Sequence, residues 1–140
     1  MAERITVQSL VDAANREVET VSVDEARALS ERGDAVLVDV RDVRELQRDG
    51  RIPGAFHCPR DMLEFWIDPE CEYHKPVFAQ DKRFIFFCAG GLRSALAAQT
   101  AGRMGLKPVC HMAGGFGAWK SAGAPVEMPD AARKPGAQRK

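Results

Sequence analysis

The sequence predicts an α/β protein whose parallel sheet is covered by helices on both faces. Three observations carry this reading. Ala35-Val-Leu-Val-Asp-Val40 and Arg83-Phe-Ile-Phe-Phe87 are nearly continuous apolar runs rich in β-branched or aromatic residues, as strands buried on both sides require. Pro108 to Met112 is a third such run. Helical patterns alternate with these runs, and alternating strand and helix builds parallel crossover units.

In chain order, Thr6 to Val18 reads as an amphipathic helix with Thr6 as its N-cap and Val7, Leu10, Val11, Ala14 and Val18 on one face. Glu19 to Val23 is a short extended piece. A second helix follows, capped by Ser22 or Asp24, with Ala26 and Leu29 apolar and Gly33 suited to its stop. After the strand at Ala35–Val40 comes a short charged helix, Arg41 to Arg48, ending near Gly50. Ile52-Pro53-Gly54-Ala55 is a turn into a brief strand around Phe56, Arg60 to Ile67 is a helix stopped by Pro69, and Glu70 to Gln80 is irregular. Beyond the strand at Arg83–Phe87, Arg93 to Met104 is a small-residue helix ended by Gly105, and Phe116 to Ser121 is a last short helix. From Pro125 onward the Pro, Gly and basic content predicts a loose tail.

A chain of 140 residues, 45% apolar and 29% charged, is enough for one domain with its own core. Twenty basic and twenty acidic side chains cancel, so no general field exists for gripping nucleic acid or an anionic membrane. Selectivity for an anion must come from a local site. The longest uncharged apolar stretch, Phe84 to Leu92, is too short to span a bilayer, and the first residues have no apolar core of a secretory signal. The expected setting is the cytoplasm, where thiols stay reduced. None of Cys58, Cys71, Cys88 and Cys110 forms a CxxC pair. Cys71-x-x-His74, His57-Cys58 and Cys110-His111 match no usual zinc spacing, and Cys58 and Cys110 are expected as core fillers. No metal is expected.

The chemistry concentrates in Cys88-Ala89-Gly90-Gly91-Leu92-Arg93-Ser94, where a buried strand hands over to a helix. Ligands of parallel α/β sheets bind just beyond the carboxyl ends of the strands, where Cys88 falls. Gly90 and Gly91 allow a sharp turn whose successive N–H groups can face inward as a nest for a negative group. The helix beginning near Leu92 adds unpaired amides and its positive dipole end, and Arg93 adds a permanent charge. Together they favour thiolate, the nucleophilic form, and the anionic outer sulfur of a persulfide. No His or Asp adjoins this cysteine in the sequence to act as a base, which suits a thiolate already ionised. A buried inert cysteine with glycines serving only the turn is the bland alternative; that every neighbour shifts the thiol the same way favours function.

These residues resemble the rhodanese-like family over roughly Val21 to Val126. Asp39-Val40-Arg41 with Glu45 looks like its Asp-x-Arg-x-x-x-Glu segment, and Gly50-Arg51-Ile52-Pro53-Gly54-Ala55 is similar to its Gly-His-Ile-Pro-Gly-Ala turn. Cys88 to Arg93 matches the Cys-x-x-Gly-x-Arg loop, and Gly114-Gly115-Phe116-Gly117-Ala118-Trp119 its Gly-Gly-aromatic-x-x-Trp ending. The resemblance implies a three-layer fold with a mainly parallel five-stranded sheet in a domain at 21–126; outside it, the residues themselves give an N-terminal helical extension (residues 1–20) and a flexible C-terminal tail (127–140). It implies a sulfurtransferase with Cys88 as sulfur acceptor and the amides from Ala89 to Ser94 as cradle, needing no cofactor. Donors would be thiosulfate, persulfides or polysulfides; acceptors would be cyanide, a thiol or a protein partner. Phosphatases and arsenate reductases on this scaffold carry one more residue in the loop, so the four residues between Cys88 and Arg93 favour sulfur. Ala89 and Gly90 stand where many thiosulfate-using members have basic residues, and Arg93 is retained where mercaptopyruvate-using members usually lack it. A carrier module fed by a protein partner is the alternative.

Asp39, Arg41 and Glu45 are read as structural supports near the site through ion pairs and hydrogen bonds. His57 is read as structural. Phe65, Trp66 and Tyr73 are either a wall over Cys88 or ordinary aromatics, and Trp119 is core. The apolar stripe of the first helix must pack on its own domain or on a second subunit, so a homodimer is open. Arg133, Lys134, Arg139 and Lys140 form a basic, solvated tail.

Overall fold

The computed structural model describes residues 4–129. Strands β1 (Glu19–Val21), β2 (Ala35–Asp39), β3 (Phe56–His57), β4 (Arg83–Phe87) and β5 (Val109–Met112) form one sheet in the order β1-β5-β4-β2-β3. All four pairings are parallel. The central strand β4 shows why its sequence is apolar throughout. Ile85 and Phe87 enter one core with Ala26 of α2 (Val23–Glu31) and Phe116 and Trp119 of α6 (Gly115–Ser121). Phe84 and Phe86 enter another, with Leu63 and Ile67 of α4 (Leu63–Ile67) and the alanines 97, 98 and 101 of α5 (Leu92–Arg103). Cys58 and Cys110 are fully buried, one in each core.

Helix starts follow the capping residues. The Thr6 side chain accepts from Ser9 N–H at 3.1 Å ahead of α1 (Val7–Glu17). Ser22, not Asp24, caps α2, in a reciprocal box with Glu25. Asp42 and Glu45 make the same box at α3 (Val43–Asp49), so this helix begins two residues later than its charge pattern predicts. The expected helix over 60–67 divides into a 3-10 turn, Arg60–Met62, and α4, and neither has a side-chain cap. The irregular segment holds a 3-10 turn at Pro76–Ala79.

Two further expectations are refined. Val11 and Ala14 of α1 pack on Ala95 and Leu96 of α5, and Glu17 binds Arg103 at 2.9 Å, so the middle of the apolar stripe is buried within its own domain. Val7 and Leu10 stay exposed. The chain beyond Pro125 is not loose where the structure describes it. Arg51 and Glu127 exchange backbone hydrogen bonds at 2.8 and 2.9 Å, their side chains pair, Val126 packs on the core, and Trp119 Nε1–H donates to the Pro125 carbonyl at 2.7 Å. Composition alone hides this because the partners lie more than seventy residues apart in sequence. The basic residues of the tail lie outside the described residues. No helix among the described residues is long and apolar enough to cross a membrane.

Candidate active site

β4 ends at Phe87 and α5 starts at Leu92, so Cys88 opens a four-residue handover at the carboxyl end of the central strand. Gly91 has φ +107° and serves as N-cap of α5, a conformation a side chain would resist. This turn aims Gly91 N–H at the Cys88 sulfur, 3.2 Å away, and brings Ser94 Oγ to 3.6 Å. The loop is fixed from outside by α6. Phe116 N–H donates to the Cys88 carbonyl at 2.7 Å and Gly117 N–H to the Ala89 carbonyl at 3.0 Å. That close approach explains Gly115: a Cβ there would press on the Cys88 carbonyl oxygen. With their carbonyls held outward, the loop residues leave their amides for the sulfur.

The electrostatic consequence separates three buried cysteines. Burial pushes the Cys58 thiol up to about 12 and the Cys110 thiol up to about 11. Burial opposes ionisation of Cys88 as well, but hydrogen bonds from the Ser94 hydroxyl and from the amides of Ser94, Gly91 and Gly90 outweigh it and bring the thiol below its ordinary value. Same residue type, similar depth, opposite direction: the donors decide.

Among the residues expected to form the cradle, Gly91 points its amide at the sulfur, and the amides of Gly90 and Ser94 add to the pull on the thiol. Ala89 is anchored through its carbonyl, and the Leu92 side chain is exposed. Arg93 does not stand free over the sulfur. Its Nη1 and Nη2 donate to the two carboxylate oxygens of Glu45 at 2.8 and 3.0 Å, and this pairing holds the Glu45 carboxyl below its ordinary value. Asp39 and Arg41 form a bidentate pair, both buried, with Arg41 Nη2 also donating to the Gly50 carbonyl and its guanidinium 4.1 Å from the Phe116 ring centroid. Arg41 thus ties the end of β2 to the end of α3 and to the helix that holds the loop. His57 Nε2 meets the Arg41 carbonyl at 2.7 Å. Phe65 and Tyr73 are exposed, while Trp66 packs edge-on against Phe56 and beneath Lys75. A cleft of about 460 Å³ opens beside the loop between Arg93, Val43 and Met62. Among the described residues no group of three or more His, Cys, Asp or Glu is placed to hold a metal ion.

Sequence reasoning missed one connection. Ser94 Oγ lies 3.1 Å from His111 Nδ1 on β5, and His111 Nε2 lies 2.8 Å from Asn15 Oδ1 on α1 and 3.3 Å from Thr20 Oγ1 on β1. A histidine therefore reaches the sulfur through a serine, although none adjoins Cys88 in sequence. Only the position of His111 on a neighbouring strand end hinted at it.

A cysteine loop lined by main-chain donors, at the carboxyl ends of a parallel sheet covered on both faces, defines a class of α/β proteins built around an anionic sulfur. The chain belongs to the rhodanese-like family: the rhodanese-like domain matches residues 22–122. It is similar to the structure of a Rhodopseudomonas palustris protein of unknown function, named a possible tyrosine phosphatase, at 57% identity and TM-score 0.84, covering 91% of this chain and 99% of that one. It is similar to the human single-domain sulfurtransferase TSTD1 at 33% identity and TM-score 0.63, covering 74% of this chain and 96% of that one. A mouse relative, thiosulfate sulfurtransferase/rhodanese-like domain-containing protein 3, is 32% identical over 104 residues, 71% of this chain and 66% of that protein.

Proposed function

We propose that this protein is a sulfurtransferase that carries sulfane sulfur as a persulfide on Cys88. The supporting observation is the reversal at Cys88, the buried thiol whose surrounding donors favour its anion. The Cys88 thiolate attacks the outer sulfur of thiosulfate, or of a persulfide or polysulfide. The donor's S–S bond breaks, and sulfite or the donor thiolate leaves with the electron pair. The negative charge then sits on the outer sulfur of Cys88–S–S⁻, and the loop whose donors already favour an anion on Cys88 would be the nearest source of hydrogen bonds to lower its energy. Cyanide or an acceptor thiolate attacks that outer sulfur, and Cys88 departs as the thiolate it began as. No step calls for a metal or an organic cofactor. A cytoplasmic setting, with the four free cysteines reduced, is part of the proposal.

Intact mass after incubation with thiosulfate or a polysulfide tests it. Wild type gains one sulfur that dithiothreitol removes, and Cys88→Ser gains none; no gain with any donor defeats the reading. Rapid labelling by a persulfidated protein, with slow turnover of small donors, would instead identify a carrier module. A phosphatase reading, raised by the name of the Rhodopseudomonas neighbour, predicts Cys88-dependent hydrolysis of an aryl phosphate. The four-residue loop and the engagement of Arg93 by Glu45 oppose it.

A further inference from the structure

We propose that His111 is a positioning residue that acts on Cys88 through Ser94, taking up at Nδ1 the proton that the thiol releases, while Asn15 of α1 accepts from its Nε2–H. The inference rests on the reading of Cys88 as a nucleophile. It extends the site to a helix outside the family match at 22–122.

The argument is a count of hydrogens. Cys88, Ser94 and His111 are 1%, 0% and 4% exposed, so each polar atom must find its partner inside the protein. The Asn15 amide is assigned with Oδ1 toward His111 Nε2, 2.8 Å away; an oxygen of this kind only accepts, so Nε2 then carries a hydrogen. If the ring is neutral, Nδ1 is then bare. It takes the single hydroxyl hydrogen of Ser94 across 3.1 Å, and the lone pairs of Ser94 Oγ face the sulfur. That arrangement suits a thiol, whose S–H can donate to Ser94 Oγ. It does not suit a thiolate, which needs the hydroxyl hydrogen for itself. One hydrogen cannot serve both neighbours.

The conflict disappears if the proton lost by sulfur arrives on the ring. The S–H proton passes to Ser94 Oγ as Ser94 passes its own to Nδ1. The S–H and serine O–H bonds break, new O–H and N–H bonds form, and no proton leaves the site. The product is a thiolate, an intact hydroxyl now pointing at sulfur, and an imidazolium whose two N–H groups point at Ser94 and Asn15. When an acceptor removes the outer sulfur and Cys88 departs as thiolate, the same hydroxyl is already aimed at it. The polar groups facing the ring are Asn15 from α1, Thr20 from β1 and Ser94 from α5, none of them charged. The ionisable group across Ser94 is Cys88, and Arg93, the cation next to Ser94 in the loop, is paired with Glu45. Burial pulls the His111 imidazole below its ordinary value, so the charge assigned to it has to be supported by the sulfur anion beyond Ser94.

Nitrogen NMR of the histidine rings in the full chain tests this directly, with the His111 signals identified by their loss in His111→Gln. At neutral pH both ring nitrogens of His111 carry protons in wild type, and the ring is neutral in Cys88→Ser. A ring that is neutral in wild type, or charged alike in both proteins, overturns the proposal. A neutral ring protonated at Nδ1, with Thr20 donating to Nε2, also overturns it. A second measurement is the pH profile of Cys88 alkylation. Glutamine at 111 keeps an N–H for Ser94 but cannot take a proton, so a merely orienting role leaves the profile in place. Proton uptake predicts that His111→Gln moves the midpoint up by about one pH unit or more, a tenfold loss of thiolate on the acid side. Asn15→Leu moves it the same way by less. The thiosulfate mass assay on wild type keeps the two readings apart. No sulfur gain defeats sulfur transfer whatever the ring does, whereas normal gain with an uncoupled ring defeats only the role of His111.

Discussion

Replacing Gly115 by alanine asks whether α6 holds the Cys88 loop in shape. Gly115 has φ +61°, and an added Cβ would press on the Cys88 carbonyl oxygen and come within 2.8 Å of that of Ala89. A left-handed backbone costs a residue with a Cβ about 1–2 kcal/mol. The obstructing atoms are main-chain oxygens, which cannot swing aside as a side chain would. The loop must retreat, and the hydrogen bonds from Phe116 N–H at 2.7 Å and Gly117 N–H at 3.0 Å lengthen or break. Those losses add about 1 kcal/mol each, for a destabilisation of about 3–4 kcal/mol in all. Gly123 is the control: its φ is +76° but nothing lies within 4 Å of an added Cβ, so Gly123→Ala carries only the backbone cost. Urea unfolding of the two variants should therefore differ by about 2 kcal/mol, with Gly115→Ala the weaker. Because the retreat also withdraws amides from the sulfur, Cys88 alkylation at neutral pH should slow about tenfold in Gly115→Ala and not at all in Gly123→Ala. If the two variants unfold alike and Cys88 reacts at the wild-type rate in both, α6 does not brace the loop.

Four further outcomes follow from the same geometry. In the folded protein at neutral pH, Cys88 should be alkylated while Cys58 and Cys110 stay untouched until the chain unfolds, which peptide mapping reads directly; equal labelling of the three would remove the special status of the loop. Asp39→Ala leaves the Arg41 charge buried without its partner and should cost about 3–5 kcal/mol in unfolding free energy, with the double variant Asp39→Leu, Arg41→Met recovering part of it. Glu45→Gln keeps the cap of α3 but releases Arg93, so KM for thiosulfate should fall about threefold, an effect that salt erases. The Glu45 carboxyl sits below its ordinary value of 4.5 when folded, so its ion pair adds stability above that pH and loses it as pH falls. The stability difference between wild type and Glu45→Gln should thus be under about 1 kcal/mol at neutral pH and vanish in acid.

What the sequence made legible was local. Ala35 to Asp39 and Arg83 to Phe87 had to be strands covered on both sides, because no single-faced strand can bury so continuous a run. Cys88, Gly91 and Ser94 could be assigned to one site because seven consecutive residues contain the turn and the helix start. What stayed hidden was pairing across distance. Glu45 and Arg93 were each singled out, but no local pattern says that they meet 48 residues apart. His111 and Asn15 are 96 residues apart, and each alone is unremarkable: a histidine on a buried strand, an asparagine on an exposed helix. The anchoring of residues 125–127, the first stretch of the expected loose tail, was hidden for the same reason. Proline, glycine and lysine describe how a segment behaves alone, whereas Val126 and Glu127 are held by Gly50 and Arg51.

The placement of charge also bears on which chemistry the loop can run. A phosphoryl group in flight spreads negative charge over three equatorial oxygens and is served by a free, forked cation beside the nucleophile. Here the fork of Arg93 is turned to Glu45 and filled by its two carboxylate oxygens, so the guanidinium offers little unmatched charge. The groups that meet the sulfur of Cys88 are the Gly91 amide and the Ser94 hydroxyl, with the amides of Gly90 and Ser94 and the remaining charge of Arg93 also favouring its anion. Such an arrangement rewards a charge on the sulfur of Cys88 itself, as nucleophile and as departing thiolate, and gives little to one spread over oxygens farther out. Freeing Arg93 in Glu45→Gln separates these demands. If the variant gained Cys88-dependent hydrolysis of an aryl phosphate along with tighter thiosulfate binding, the loop itself would be neutral between the two chemistries and the ion pair alone would select sulfur. If only thiosulfate binding improves, selection lies in the short turn of amides.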